Sequence, residues 1–129
     1  MSTLKTILLV DDEQDIVQAM SFFLKRKGIE VLTAGNGLEA MHAIRDAVNK
    51  PQLILLDGNM PVMNAREFLR TRKAENHYPQ IPVILLSSDL WDIDDPSIMC
   101  HVPKPFDLLQ LIDRIESFFP KRSTPELNG

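Results

Sequence analysis

A chain of 129 residues is long enough to bury one proper core and too short for two ordinary domains, and its 44% apolar and 25% charged residues are those of a soluble globular protein. The formal net charge of -4 argues against a dedicated nucleic-acid surface, and no apolar stretch approaches the roughly 18 residues of a membrane-spanning helix. Its single cysteine, Cys100, excludes an internal disulfide and reads as a buried thiol; with no amino-terminal targeting pattern, the expected location is the cytoplasm.

The first apolar run, Lys5 to Val10, ends in Asp11-Asp12-Glu13. Ile16, Ala19, Met20, Phe23 and Leu24 then recur at helical spacing, and Lys25-Arg26-Lys27-Gly28 closes that helix with cations at its negative end and a glycine stop. The acids therefore occupy a strand-to-helix junction. Residues 30–34 form a weaker second strand, closed by Gly35-Asn36-Gly37, and a helix is expected over 38–48 with Ala40, Met41, Ile44 and Val48 on one face. Pro51 resets the chain. Leu53-Ile54-Leu55-Leu56 then runs into Asp57, and Gly58, Asn59 and Pro61 break regular structure at once. Such a run describes a strand buried on both faces of a parallel sheet, and a carboxylate at its carboxyl end sits where open α/β sheets place their ligands. Taken alone, Asp57 fits an aspartate that simply begins a turn equally well.

Phe68 and Leu69 support a helix over 64–75. Residues 81–86 form a fourth run ending in Ser87-Ser88-Asp89, and residues 98–102 a marginal fifth, followed by Pro103-Lys104-Pro105-Phe106. The last helix, over 107–119, carries Leu108, Leu111, Ile112, Ile115 and Phe119 on its apolar face. Pro120 ends it, and residues 121–129 read as a polar tail on a single domain of residues 1–120.

This order predicts an α/β fold, a doubly wound five-stranded parallel sheet with helices on both faces. Right-handed crossovers put every strand's carboxyl end at one edge, so Asp11, Asp12, Asp57, Ser87 and Lys104 are expected to gather there. Three carboxylates so close repel one another and call for a compensating cation. Magnesium suits the task, taking a few carboxylates together with a carbonyl and water. Lys104 is placed to pair with Asp57 or with an incoming phosphoryl oxygen, and Ser87 offers its hydroxyl to another such oxygen. An aspartate in that setting is suited to accept a phosphoryl group. The plainer alternatives are Asp11 or Asp12 capping the first helix, Ser87 as a turn serine and Lys104 as a solvated one. His42, His77 and His101 have no metal-ligand spacing among them and read as surface or half-buried residues, and Met41, Met60, Met63 and Met99 read as packing.

Four motifs in order, Val10-Asp11-Asp12-Glu13, Leu56-Asp57-Gly58-Asn59-Met60-Pro61, Pro82-Val83-Ile84-Leu85-Leu86-Ser87-Ser88 and Pro103-Lys104-Pro105-Phe106, resemble those of two-component response-regulator receiver domains over residues 5–119. The resemblance, to a stand-alone chemotaxis-regulator-like receiver, implies a flavodoxin-like fold with Asp57 as phosphoacceptor. It implies Mg²⁺ held by Asp11, Asp12, Asp57 and the main-chain carbonyl of Asn59, and a cis bond before Pro105. Ser87 would be the switch hydroxyl and Lys104 the amine that meets the phosphoryl group. The implied partners are a histidine kinase or histidine phosphotransfer protein and a downstream protein, with no nucleic acid and no membrane. The chain would catalyse only its own phosphorylation and dephosphorylation and is otherwise not an enzyme.

Three departures stand out. His101 occupies the place of the usual switch Tyr or Phe, three residues before the lysine. Only sixteen residues separate Ser87 from Lys104, and Pro96 with the surrounding acids opposes a regular helix, so the family's fourth helix is expected to be missing or cut to about one turn. Trp91, if exposed, offers a partner surface instead. Val62-Met63-Asn64-Ala65 also replaces the usual Gly-Met-Asp-Gly, which stiffens the loop. The competing function is a receiver-like protein-binding module that works without phosphorylation. A hydrolase of the haloacid-dehalogenase type is disfavoured, because that chemistry wants an acid where this chain has Asn59.

Overall fold

A computed structural model describes residues 5–88 and 93–119. Five strands, β1 (Lys5–Val10), β2 (Ile29–Ala34), β3 (Leu53–Asp57), β4 (Val83–Ser87) and β5 (Ile98–Pro103), form one sheet in the order β2-β1-β3-β4-β5. All four pairings are parallel. The helices are α1 (Gln14–Arg26), α2 (Gly37–Asp46), α3 (Ala65–Ala74) and α4 (Leu108–Phe118). This is the doubly wound, flavodoxin-like sheet expected, with its topological switch between β1 and β3.

The alternation of side chains along β1, β3 and β4 sorts the core into two layers. Leu8, Val10, Ile54, Leu56, Val83 and Leu85 face α2 and α3, meeting Met41, Ile44, Phe68 and Leu69. Ile7, Leu9, Leu53, Leu55, Ile84 and Leu86 face α1 and α4, meeting Met20, Leu24, Leu111, Ile112 and Ile115. The unbroken apolar runs of β3 and β4 follow from this burial on both sides.

Local chemistry moves some boundaries. The α2 helix stops at Asp46, and Val48, expected on its apolar face, is 95% exposed. The Lys50 ammonium explains the early stop: it donates to the carbonyls of Ile44 (2.8 Å) and Arg45 (3.0 Å), satisfying backbone acceptors that a further turn of helix would have used. Pro82 has no N–H to give, and β4 begins at Val83. Asn64 and Glu67 form a reciprocal capping box at the start of α3, while Gly28, at φ 82°, supplies the left-handed residue after α1. Cys100 is half-buried, with its sulfur 3.8 Å from an Arg114 nitrogen. Met99 is exposed, at the register shift between β4 and β5.

Among the described residues no helix lies between β4 and β5; residues 93–95 have no regular structure and residues 96–97 form a turn. The expectations for Trp91, for the part of the shortened segment at residues 89–92 and for the segment from Pro120 onward lie outside the described residues. The turn is tied to α3 by a buried arginine. Arg72 donates to the carbonyls of Ile81 (3.1 Å) and Pro79 (3.3 Å) and to the Ser97 hydroxyl (2.8 Å), and Ser97 in turn donates to Asp95 (2.6 Å). Arg72→Met keeps the bulk but strands those acceptors, and is expected to cost about 2–4 kcal/mol in urea denaturation. A loss below about 1 kcal/mol would mean that the turn holds without the guanidinium.

Candidate functional site

The site is built where β1 and β3 run side by side. Val10 pairs with Leu56, so the next residues, Asp11 and Asp57, emerge together at the carboxyl edge. Both are buried, while Asp12 is exposed. One carboxylate oxygen from each of Asp11, Asp12 and Asp57 lies within 4.8 Å of the others. Asp11 is held by accepting the Glu13 N–H (2.9 Å), and its own N–H donates to the Ala34 carbonyl (3.0 Å). The α1 helix takes Glu13 as its N-cap, without a side-chain capping bond.

Lys104 reaches the same point from the end of β5. Its ammonium lies 3.2 Å from Asp11, 3.2 Å from Asp57 and 3.1 Å from Glu13. The pairing of Ser87 with Pro103 and the bond from the Lys104 N–H to the Ser87 carbonyl (2.7 Å) set its height on the sheet. The following peptide bond, Lys104–Pro105, is cis. Burial pulls the Lys104 pKa down, but the hydrogen bond to Glu13 and the charges of Asp11 and Asp57 outweigh it, leaving the amine above the ordinary lysine value. Glu13, noted in the sequence only as a junction acid, is thus a partner of Lys104; its place directly after the Asp11-Asp12 pair was the available signal.

Asp57 shows the cost of the arrangement. Desolvation by burial and the charge of Asp11 raise its pKa from 3.8 to about 6, against the opposing pull of Lys104 and of a hydrogen bond from the Asn59 backbone N–H. Ser87 is buried at the end of β4, packed so closely on Gly58 that a Cβ there would lie 3.1 Å from the serine Cβ. His101 pairs with Leu85 on the α2–α3 face, half-buried, and its buried Nε2 has no hydrogen-bond partner among the described residues.

The oxygen donors at this edge suit a hard divalent cation: three carboxylates, two of them desolvated and mutually repelling, at spacings a small ion spans. Beside them, Ile16, Ala19, Pro105, Phe106 and Leu108 line an apolar groove of about 450 Å³ whose rim carries Glu13, Asp15 and Lys104.

The model of the response regulator receiver domain family matches residues 7–116, and the chain belongs to that family. It is 34% identical over 95% of its length to a transcriptional regulatory protein CpxR homolog of Haemophilus influenzae, of which it covers 53%. It is 27% identical to sporulation initiation phosphotransferase F of Bacillus subtilis, covering 91% of this chain and 95% of that one. The chain thus spans about half the length of several curated relatives and nearly all of another. Among solved structures, the chemotaxis protein CheY4 of Vibrio cholerae superposes with a TM-score of 0.76 at 27% identity, over 91% of this chain and 100% of that one.

Between pH 3.8 and about 6 the folded chain, with its raised Asp57 pKa, holds more protons than the unfolded chain. This group's contribution to stability is therefore full below that window and is lost as pH rises through it. Without divalent cations at pH 7, Asp57→Asn is expected to stabilise the fold by about 1–3 kcal/mol, a gain that shrinks toward zero near pH 4. Urea denaturation at the two pH values measures it, and a less stable variant at pH 7 would contradict the assignment.

Proposed function

We propose that this receiver domain accepts a phosphoryl group on Asp57 from a phosphohistidine of a histidine kinase or histidine phosphotransfer protein. The observation that carries the reading is the convergence of Asp11, Asp57 and Glu13 on one Lys104 ammonium at 3.1–3.2 Å, with Asp12 completing the acidic cluster. In this reading an Asp57 carboxylate oxygen attacks phosphorus, the bond from phosphorus to the donor imidazole nitrogen breaks, and the imidazole leaves with the electron pair. An acyl phosphate remains.

Asp11, Asp12, Asp57 and the Asn59 carbonyl are the proposed holders of Mg²⁺, which when bound supplies Lewis-acid neutralisation of the phosphoryl oxygens. Lys104 exchanges its carboxylate partner for a phosphoryl oxygen, stabilising charge as it spreads in transfer. Ser87, already at the edge, offers its hydroxyl to a second oxygen. The Asn59 N–H orients the attacking carboxylate. The apolar groove along α1 and Phe106 adjoins Lys104, and it supports docking of a donor that presents its histidine from an apolar surface. Turnover of a separate substrate forms no part of the reading; hydrolysis of the acyl phosphate returns the chain to its start.

His101 and the non-helical stretch 93–97 favour a second reading, a binding module indifferent to phosphorylation. One experiment separates the two. Incubation with acetyl phosphate and Mg²⁺ is expected to give an alkali-labile phosphoprotein, resolved on a phosphate-affinity gel, that is absent for Asp57→Asn and in excess EDTA. Lys104→Met is expected to slow its formation on the order of 10–100-fold. Absence of a labile adduct on wild type, together with equal partner binding by Asp57→Asn, would establish the second reading.

A further inference from the structure

The α2 helix gives no group to the acidic cluster, yet it touches the loop that does. That loop, residues 58–64, carries Asn59 and is held at both ends. Gly58 donates to the Leu86 carbonyl (2.7 Å) and leaves only tight space for a Cβ against Ser87, while Asn64 is locked by its capping box with Glu67. Between these ends the backbone is strained. Val62 has φ 68° and is bridged by the Met63 N–H to the Pro61 carbonyl at 2.7 Å, a tight three-residue turn of the unfavourable hand at a β-branched residue. The Val62 side chain is 74% exposed, so its own packing does not compensate the strain. Strain of this kind persists only where surrounding structure over-determines the conformation.

Gly37 is what surrounds it. Its N–H donates to the Met63 carbonyl at 2.9 Å, and the Met63 side chain lies in the space a Cβ would fill. A Cβ on residue 37 would stand 2.7 Å from the Met63 Cγ and 2.8 Å from the Met63 carbonyl oxygen, and the second contact is backbone that no rotamer change relieves. The helix end cannot yield easily. Asn36 accepts the Glu39 N–H (2.9 Å) and Glu39 accepts the Gly35 N–H (2.7 Å), fastening the first turn of α2 from both sides. The strained loop is the softer partner.

We propose that Gly37 is a positioning residue for the Asp57 centre, holding the 58–64 loop so that Asn59 presents its backbone correctly to Asp57 and to a bound cation. The proposal rests on the phosphoacceptor reading above. Magnesium tolerates little departure from octahedral geometry, so a shift of the loop by a few tenths of an ångström weakens binding without unfolding the sheet.

Isothermal titration with MgCl2, with no phosphodonor present, tests this on the full chain. Gly37→Ala is expected to weaken the Mg²⁺ dissociation constant about tenfold, the usual effect of disturbing an outer-shell support. Ile44→Val, which trims a buried side chain two turns further along α2, lowers the melting temperature but is expected to bind Mg²⁺ as wild type does. Wild-type affinity in a folded Gly37→Ala, or an equal loss in Ile44→Val, would overturn the proposal. Should Gly37→Ala not fold, Met63→Ala removes the other half of the contact and is expected to weaken Mg²⁺ by a smaller factor; an unchanged affinity overturns the proposal there too. A wild-type chain that binds no Mg²⁺ would instead remove the phosphoacceptor reading itself.

Discussion

Two carboxylates that emerge from adjacent buried strands cannot escape each other. Asp11 and Asp57 follow paired residues of β1 and β3, the sheet shields both from water, and low polarity magnifies their repulsion. Much else at this edge answers that one constraint. The Lys104 ammonium is set among them by the β4–β5 ladder, Glu13 takes a share of it, and the Asn59 N–H supports Asp57 from the loop side. The compensation is incomplete, since burial and the Asp11 charge still hold the Asp57 pKa up at about 6. An incompletely neutralised acidic centre has affinity left for a further cation. That links the electrostatics of the resting fold to the chemistry proposed for it.

Much of this was written in local sequence. Uninterrupted apolar runs such as Leu53 to Leu56 announce strands buried on both sides, and the glycine, asparagine and proline after Asp57 announce that the carboxylate sits at a rim. Once the strands are taken as parallel, geometry brings Asp11, Asp57, Ser87 and Lys104 to one edge without further assumption. What local pattern did not carry were interactions between segments far apart in the chain. Val48 keeps helical period with Ile44, but the Lys50 ammonium ends the helix first. Nothing in the local pattern singles out Arg72, yet it is buried and ties two loops together. Gly37 reads as one of the turn residues that close the second strand, whereas it opens α2 and its space is taken by Met63, twenty-six residues later. Each depends on a partner that periodicity does not reveal.

The described connection between β4 and β5 is anchored away from the chemistry proposed for the domain. The acidic centre draws on the carboxyl ends of β1, β3 and β5, on Ser87 of β4 and on the loop seated against Gly37. Residues 93–97 supply none of these groups. That stretch is secured elsewhere, at the opposite end of β4, where Ser97 accepts the Val83 N–H through its carbonyl and the Arg72 guanidinium through its hydroxyl. Movement of Ser87 toward a phosphoryl group would therefore act at one end of β4 while Arg72 holds the other. His101, paired with Leu85 midway along that strand, lies between the two. A conformational signal of the kind proposed, if it left Asp57 by way of β4, would meet this half-buried imidazole before the turn that Arg72 holds, so the packing of β5 against β4 would govern its outward effect.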